Sequence, residues 1–113
     1  MQFDKDIQSK NKDLFLKIRD LLLSNPGITE IKKEDITTYS YNKSGVCHIK
    51  TMPYGVAISF LKGSKLNDIF HLLHDNRESV KTLSLKGYNK AVINHFVKQA
   101  IEINKNESLN FNY

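Results

Sequence analysis

Three short runs of strand-forming residues follow one another with almost nothing between them. "DITTYSY" (Asp35 to Tyr41) is separated from "VCHIKTM" (Val46 to Met52) by "NKSG", and "VCHIKTM" from "VAISFL" (Val56 to Leu61) by "PYG". A parallel pair needs a crossover of about a dozen residues or more, so links this short impose an antiparallel meander. Alternation puts Thr37, Tyr39 and Tyr41 on one side of the first strand. It puts Val56, Ile58 and Phe60 on one side of the third, with Ala57, Ser59 and Leu61 opposite. A sheet with one apolar side must be covered on that side.

The cover is legible at both ends of the chain. From Lys5 to Ser24 the residues Leu14, Phe15, Ile18, Leu21 and Leu22 make one helical stripe, which "NPG" (Asn25 to Gly27) stops. A second stripe, Ile93, Phe96, Val97, Ala100 and Ile101, predicts a helix over Lys90 to Ile103 with Asn89 as its N-cap. Between them, "LNDIFHLL" (Leu66 to Leu73) spaces Leu66, Ile69, Phe70 and Leu73 for a short helix or turn. "HDNRES" breaks it, and "VKTLSL" (Val80 to Leu85) reads as a fourth strand. The tail "NKNESLNFNY" reads as a polar, fraying end, with Leu109, Phe111 and Tyr113 alternating as a further edge strand. The expected fold is therefore α+β, a two-layer sandwich with an antiparallel sheet of about four to five strands under N- and C-terminal helices. One domain accounts for the whole chain of 113 residues, with its core over 10–105.

Composition narrows the class. Apolar residues make up 40% and charged residues 26%, which suits a globular chain. The first ten residues mix acids with lysines and lack the apolar core of a signal peptide. The single cysteine, Cys47, cannot form an intrachain disulfide, and a cytoplasmic location with no membrane partner is expected. The net charge is +5, and residues 1–36 balance seven acids with seven bases. The excess therefore lies after residue 36, where lysines are scattered singly without a run or an arginine cluster.

Three segments carry a family resemblance: "LFLKIRDLLLSN", "GVAISFLKGSKL" and "VKTLSLKGYNKAVINHFVKQAIE". Together they resemble the YdhG-like family of small bacterial proteins, whose motifs are turn glycines and core apolar positions. The resemblance implies a frataxin-like fold and, from members described as iron chaperones, iron or zinc as a bound metal. In this sequence Asp4, Asp6, Asp13 and Asp20 are interleaved with Lys5, Lys10, Lys12, Lys17 and Arg19, which leaves the potential along the first helix near neutral. "TTYSYNKSG" has the tyrosines but not the proline of the tyrosine-x-x-proline segment that many members carry.

Candidate sites are few. "HLLHD" offers metal ligands: on a helix, His71 and His74 lie three apart with Asp68 and Asp75 flanking them. The plainer alternative is a pair of surface histidines at a helix end. Tyr39, Tyr41, Tyr54 and Phe60 beside Lys50 and Lys62 would make a base-stacking platform if exposed, and core if buried. "KGSK" (Lys62 to Lys65) imitates a phosphate loop, but it lacks the glycine spacing of a P-loop and its lysine follows the serine. Lys62, Lys65 and backbone N–H groups at a helix start remain for an anion. Cys47 and His48 are adjacent on a strand and so face opposite sides, which rules against a nucleophile–base pair. His95, beside Phe96, reads as a boundary residue of the last helix.

The expectation is a non-enzymatic binding module for a small ligand, a metal ion or a protein partner. Its ligand candidates are Tyr39, Tyr41, Lys50, Phe60, Lys62 and Lys65, and its metal candidates Asp68, His71, His74 and Asp75. The alternative is a basic nucleic-acid-associated or regulatory accessory protein.

Overall fold

The computed structural model describes residues 1–75 and 77–111. Its sheet is built outward from two hairpins whose turns are local chemistry. Strand β2 (Thr37–Tyr41) returns into β3 (Ser44–Met52) through Asn42 and Lys43. Both turn residues have positive φ, 51° and 65°, the combination that matches the right-handed twist of paired strands. Strand β3 returns into β4 (Gly55–Phe60) through Pro53 and Tyr54, with Met52 opposite Gly55. A register shift at Tyr39/Ser40 leaves Val46 as an extra residue on β3, so Val46 and Cys47 are both buried although they are neighbours.

The α+β architecture is as expected, with helices at both ends over one antiparallel sheet. To the four strands read from the sequence the structure adds two, giving the order β1-β2-β3-β4-β6-β5. Strand β1 (Ile28–Lys32) pairs with β2 at one edge, and β5 (Leu73–Asp75) pairs with β6 (Lys81–Leu85) at the other. Both additions are short edge strands with one partner, where the alternation of apolar residues is weakest.

Two helix assignments change for a physical reason. The first helix divides into α1 (Gln2–Asp6) and α2 (Lys12–Leu23). Asp6 is drawn onto the sheet, where Oδ1 accepts from the Thr51 amide and hydroxyl at 3.0 and 2.6 Å, and Asn11 Nδ2 donates to the Met52 carbonyl at 2.7 Å. These bonds to β3 hold the turn between α1 and α2 in place. Of the short helix or turn expected over Leu66 to Leu73, the structure has a turn, at Ile69 and Phe70, and not the helix. A 3-10 turn (Gly63–Lys65) leads into irregular chain in which His71 has φ of 54°, and Leu73 is already in β5. The chain must travel from the end of β4 past β6 to the far edge of the sheet, a span that a compact helix would shorten.

Helix α3 (Lys90–Phe111) is longer than its stripe, running through the segment read as a tail. Leu109 and Phe111 of the suggested extra edge strand fall in α3 instead, and Tyr113 lies outside the described residues. Asn89 caps α3 as expected, its Oδ1 accepting from the Val92 amide at 3.1 Å. Phe15, Ile18 and Leu22 of α2 and Ile93, Phe96 and Val97 of α3 are fully buried against Tyr39, Ile49, Val56, Ile58, Phe60 and Leu83. Each such side chain contributes about 1.5–3 kcal/mol by leaving water. Both long helices therefore cover the same face, and among the described residues the other face of the sheet carries no helix. Among the described residues, no helix is long and apolar enough to cross a membrane.

Candidate functional site

The uncovered face is the one to which alternation sends Thr38 of β2, His48, Lys50 and Met52 of β3, Ala57 and Ser59 of β4, and Thr82 and Ser84 of β6. His74 of β5 joins them, opposite Thr82. Short side chains occupy the middle of this face and long ones its margin, so the surface is dished. The resulting depression has a volume of about 290 Å³. Ala57, Ser59 and Thr82 form its floor, His48, Lys50, Met52 and His74 its rim, and Ile36 and Tyr54 close it from the turns.

Hydrogen bonds order the polar groups. Ser59 Oγ and Thr82 Oγ1 pair across the floor at 3.1 Å. His48 Nδ1 meets the buried Thr38 hydroxyl at 2.9 Å, which orients the ring and leaves Nε2 outside that bond. His74 Nε2 lies 2.7 Å from Ser84 Oγ, and the Tyr54 hydroxyl reaches the same oxygen at 2.9 Å. Burial holds the His48 pKa below its ordinary value, and the positive charges of Lys33 and Arg77 lower it further. Cations of the β1–β2 turn and the β5–β6 connection thus add to the positive field at His48. Among the described residues that line the depression there is no carboxylate.

The candidates named from sequence are mostly elsewhere. Tyr39 and Phe60 are fully buried among the helices, so the stacking platform does not exist on this sheet. Their strands place them on the apolar face, where each adds more to the core than it would to an open surface. Tyr41 is half-buried on the helix side, against Gly27 and a second depression beside Lys98 and Glu102. Lys50 alone of the ligand candidates reaches the open face.

Lys62 and Lys65 are turned to α3. Lys62 Nζ donates to Ser44 Oγ, Asn104 Oδ1 and Glu107 Oε2, and Lys65 Nζ to Glu107 Oε1 at 2.7 Å. The amides of Ser64, Lys65 and Leu66 donate to the carbonyls of Ser79, Lys62 and Gly63. Both ammonium groups and these three amides are engaged within the chain, and "KGSK" is a turn that fastens the end of β4 to the last helix.

The metal candidates do not share a helix face. The Asp68 carboxylate accepts from the amides of Leu72 and Leu73, both at 2.9 Å, and so serves the loop. His71 sits in that loop and His74 on β5, while the side chain of Asp75 lies outside the described residues. No group of three or more His, Cys, Asp or Glu side chains placed to hold a metal occurs among the described residues. Cys47 is fully buried on the opposite face from His48, and burial pushes its thiol pKa far up, so it stays protonated. His95 packs edge-on against Phe70 at 5.0 Å and contacts the Asn67 carbonyl at 2.9 Å, a boundary residue as read.

Sequence reasoning passed over Ser59, Thr82 and Ser84, and weighed His48 only against Cys47. The signal was present as period-two alternation, but nothing in the chain announces that β6 lies beside β4, which is what joins Ser59 to Thr82. Comparison of the chain with protein-family models, curated proteins and solved structures finds no match.

Proposed function

We propose that the chain is a non-enzymatic binding module, of the type the YdhG-like resemblance suggested, that takes a small ligand on the open face of its sheet. The observation that carries this is the depression over Ala57, Ser59 and Thr82, where small side chains leave room and hydrogen-bonding groups stand around it. Ile36, Met52, Tyr54 and Ala57 supply apolar contact for a body the size of a ring, and His48, Lys50 and His74 supply polar grip. Metal handling has less support, since Asp68, His71 and His74 are spread over a loop and an edge strand. A nucleic-acid-associated role would have to use lysines without the rings of Tyr39 and Phe60.

The test is a set of ring-sized probes of different charge, benzenesulfonate, benzamidine and benzyl alcohol, titrated into isotope-labelled protein and followed by NMR. Shifts should concentrate at Ala57, Ser59 and Thr82 for at least one probe. They should vanish in Ala57→Phe, which fills the depression from a half-buried, outward-facing position and so leaves the urea midpoint near that of the parent. Shifts confined to the depression beside Tyr41 and Lys98, or no shifts with any probe, would overturn the proposal.

A further inference from the structure

We infer that the ligand of the open face carries an oxyanion (a carboxylate, phosphate or sulfonate group) and that His48 takes up a proton when it binds. This inference rests on the site proposed above. Its ground is the arrangement of charge. Lys50 stands on the rim and His74 lies across the depression on β5, and Lys33 of the β1–β2 turn and Arg77 of the β5–β6 connection, outside its lining, add positive field at His48. Tyr54, from the β3–β4 turn, is the remaining titratable group at the rim. The facing residues of β2, β4 and β6, Thr38, Ser59 and Thr82, are uncharged. A neutral or cationic ligand would gain nothing from a rim that carries Lys50 and two histidines and lies in a positive field, whereas an oxyanion would be attracted to it.

His48 adds the proton linkage. In the ligand-free protein, burial and the same cations disfavour its charged form. An anion set against the ring reverses the sign of the local potential and favours the imidazolium. Thr38 makes that change cheap, because its hydroxyl can donate to a neutral Nδ1 or accept from a protonated one. Ring protonation therefore breaks no existing hydrogen bond, and it offers Nε2–H to the ligand.

The measurement uses benzenesulfonate, which stays ionised throughout, with neutral benzenesulfonamide as its isostere. Titrations of the full chain run from about pH 8 to about pH 5.5, the range a histidine spans. Benzenesulfonate should bind more tightly as the pH falls, by about tenfold for each unit by which it raises the His48 pKa. The His48 ring resonances of the unmodified protein should titrate at higher pH with the probe than without it, a readout that needs no variant. The pH-linked gain should disappear in His48→Asn, while Lys50→Met should weaken binding at every pH and keep the gain. Benzenesulfonate and its amide binding at Ala57 and Ser59 with equal, pH-independent affinity would overturn this inference and leave the site standing. Silence from every probe at the depression would overturn both.

Discussion

The Tyr39 hydroxyl, at the end of a fully buried ring on β2, donates to Glu30 Oε2 on β1 at 2.8 Å. The same carboxylate takes the guanidinium of Arg19 from α2 through both oxygens, at 2.6 and 2.9 Å. One edge strand, its neighbour and the first long helix are thereby tied at a single point, and Glu30 explains why β1 carries a charge on its inward side. Fork geometry and partial burial make this pair stronger than an exposed one.

Tyr39→Phe removes one donor but leaves Glu30 held by Arg19, and the expected loss is about 1 kcal/mol. Glu30→Ala leaves the phenol and the guanidinium without their acceptor in a partly buried place, and should cost about 2–3 kcal/mol. Urea denaturation of the two variants checks the order. Equal losses would mean that the carboxylate is not the shared centre.

The same group links stability to acid. Burial by itself would raise the Glu30 pKa, but the hydrogen bonds from Arg19 and Tyr39 outweigh it and hold it below the ordinary value. A depressed carboxylate contributes stability that is present above its unfolded pKa, about 4.3, and lost as pH falls through the folded value. Glu30→Gln should therefore be less stable than the parent at neutral pH and should lose less between about pH 5 and about pH 2. Urea midpoints across that range make the comparison, and parallel curves would refute it.

Gly55 is a position where no side chain fits. A Cβ built there would lie 1.9 Å from the Leu85 carbonyl oxygen of β6, a backbone atom that cannot move aside alone. Gly55→Ala should cost more than about 3 kcal/mol or prevent folding. Gly87→Ala, which meets nothing within 4 Å, serves as the control and should change the thermal midpoint little. If both variants melt like the parent, β4 and β6 do not approach as described.

The parts of the fold legible in the chain are those set by local periodicity. The alternation of Val56, Ile58 and Phe60 and the stripe of Ile93, Phe96 and Val97 each report burial on one face, and each residue is fully buried. Asn42 and Lys43 close a hairpin that the flanking strands already implied. The misread segments are those where a distant partner decides. The first helix breaks after Asp6, whose carboxylate Thr51 binds, and Leu73 is a strand residue because Leu83 lies beside it.

The candidate site divides along the same line. Period-two spacing was enough to say that Ala57 and Ser59 face away from Val56, Ile58 and Phe60, and that His48 faces away from Cys47. What spacing cannot express is which strand lies next to which, or which side the helices cover. Tertiary packing put β6 against β4 and both long helices on the Phe60 side, because only there do two apolar stripes and an apolar sheet face exclude water together. That choice buried the rings that looked like a binding platform and turned Lys62 and Lys65 to Glu107. It left exposed a shallow face of small and basic residues that no run of the sequence displays.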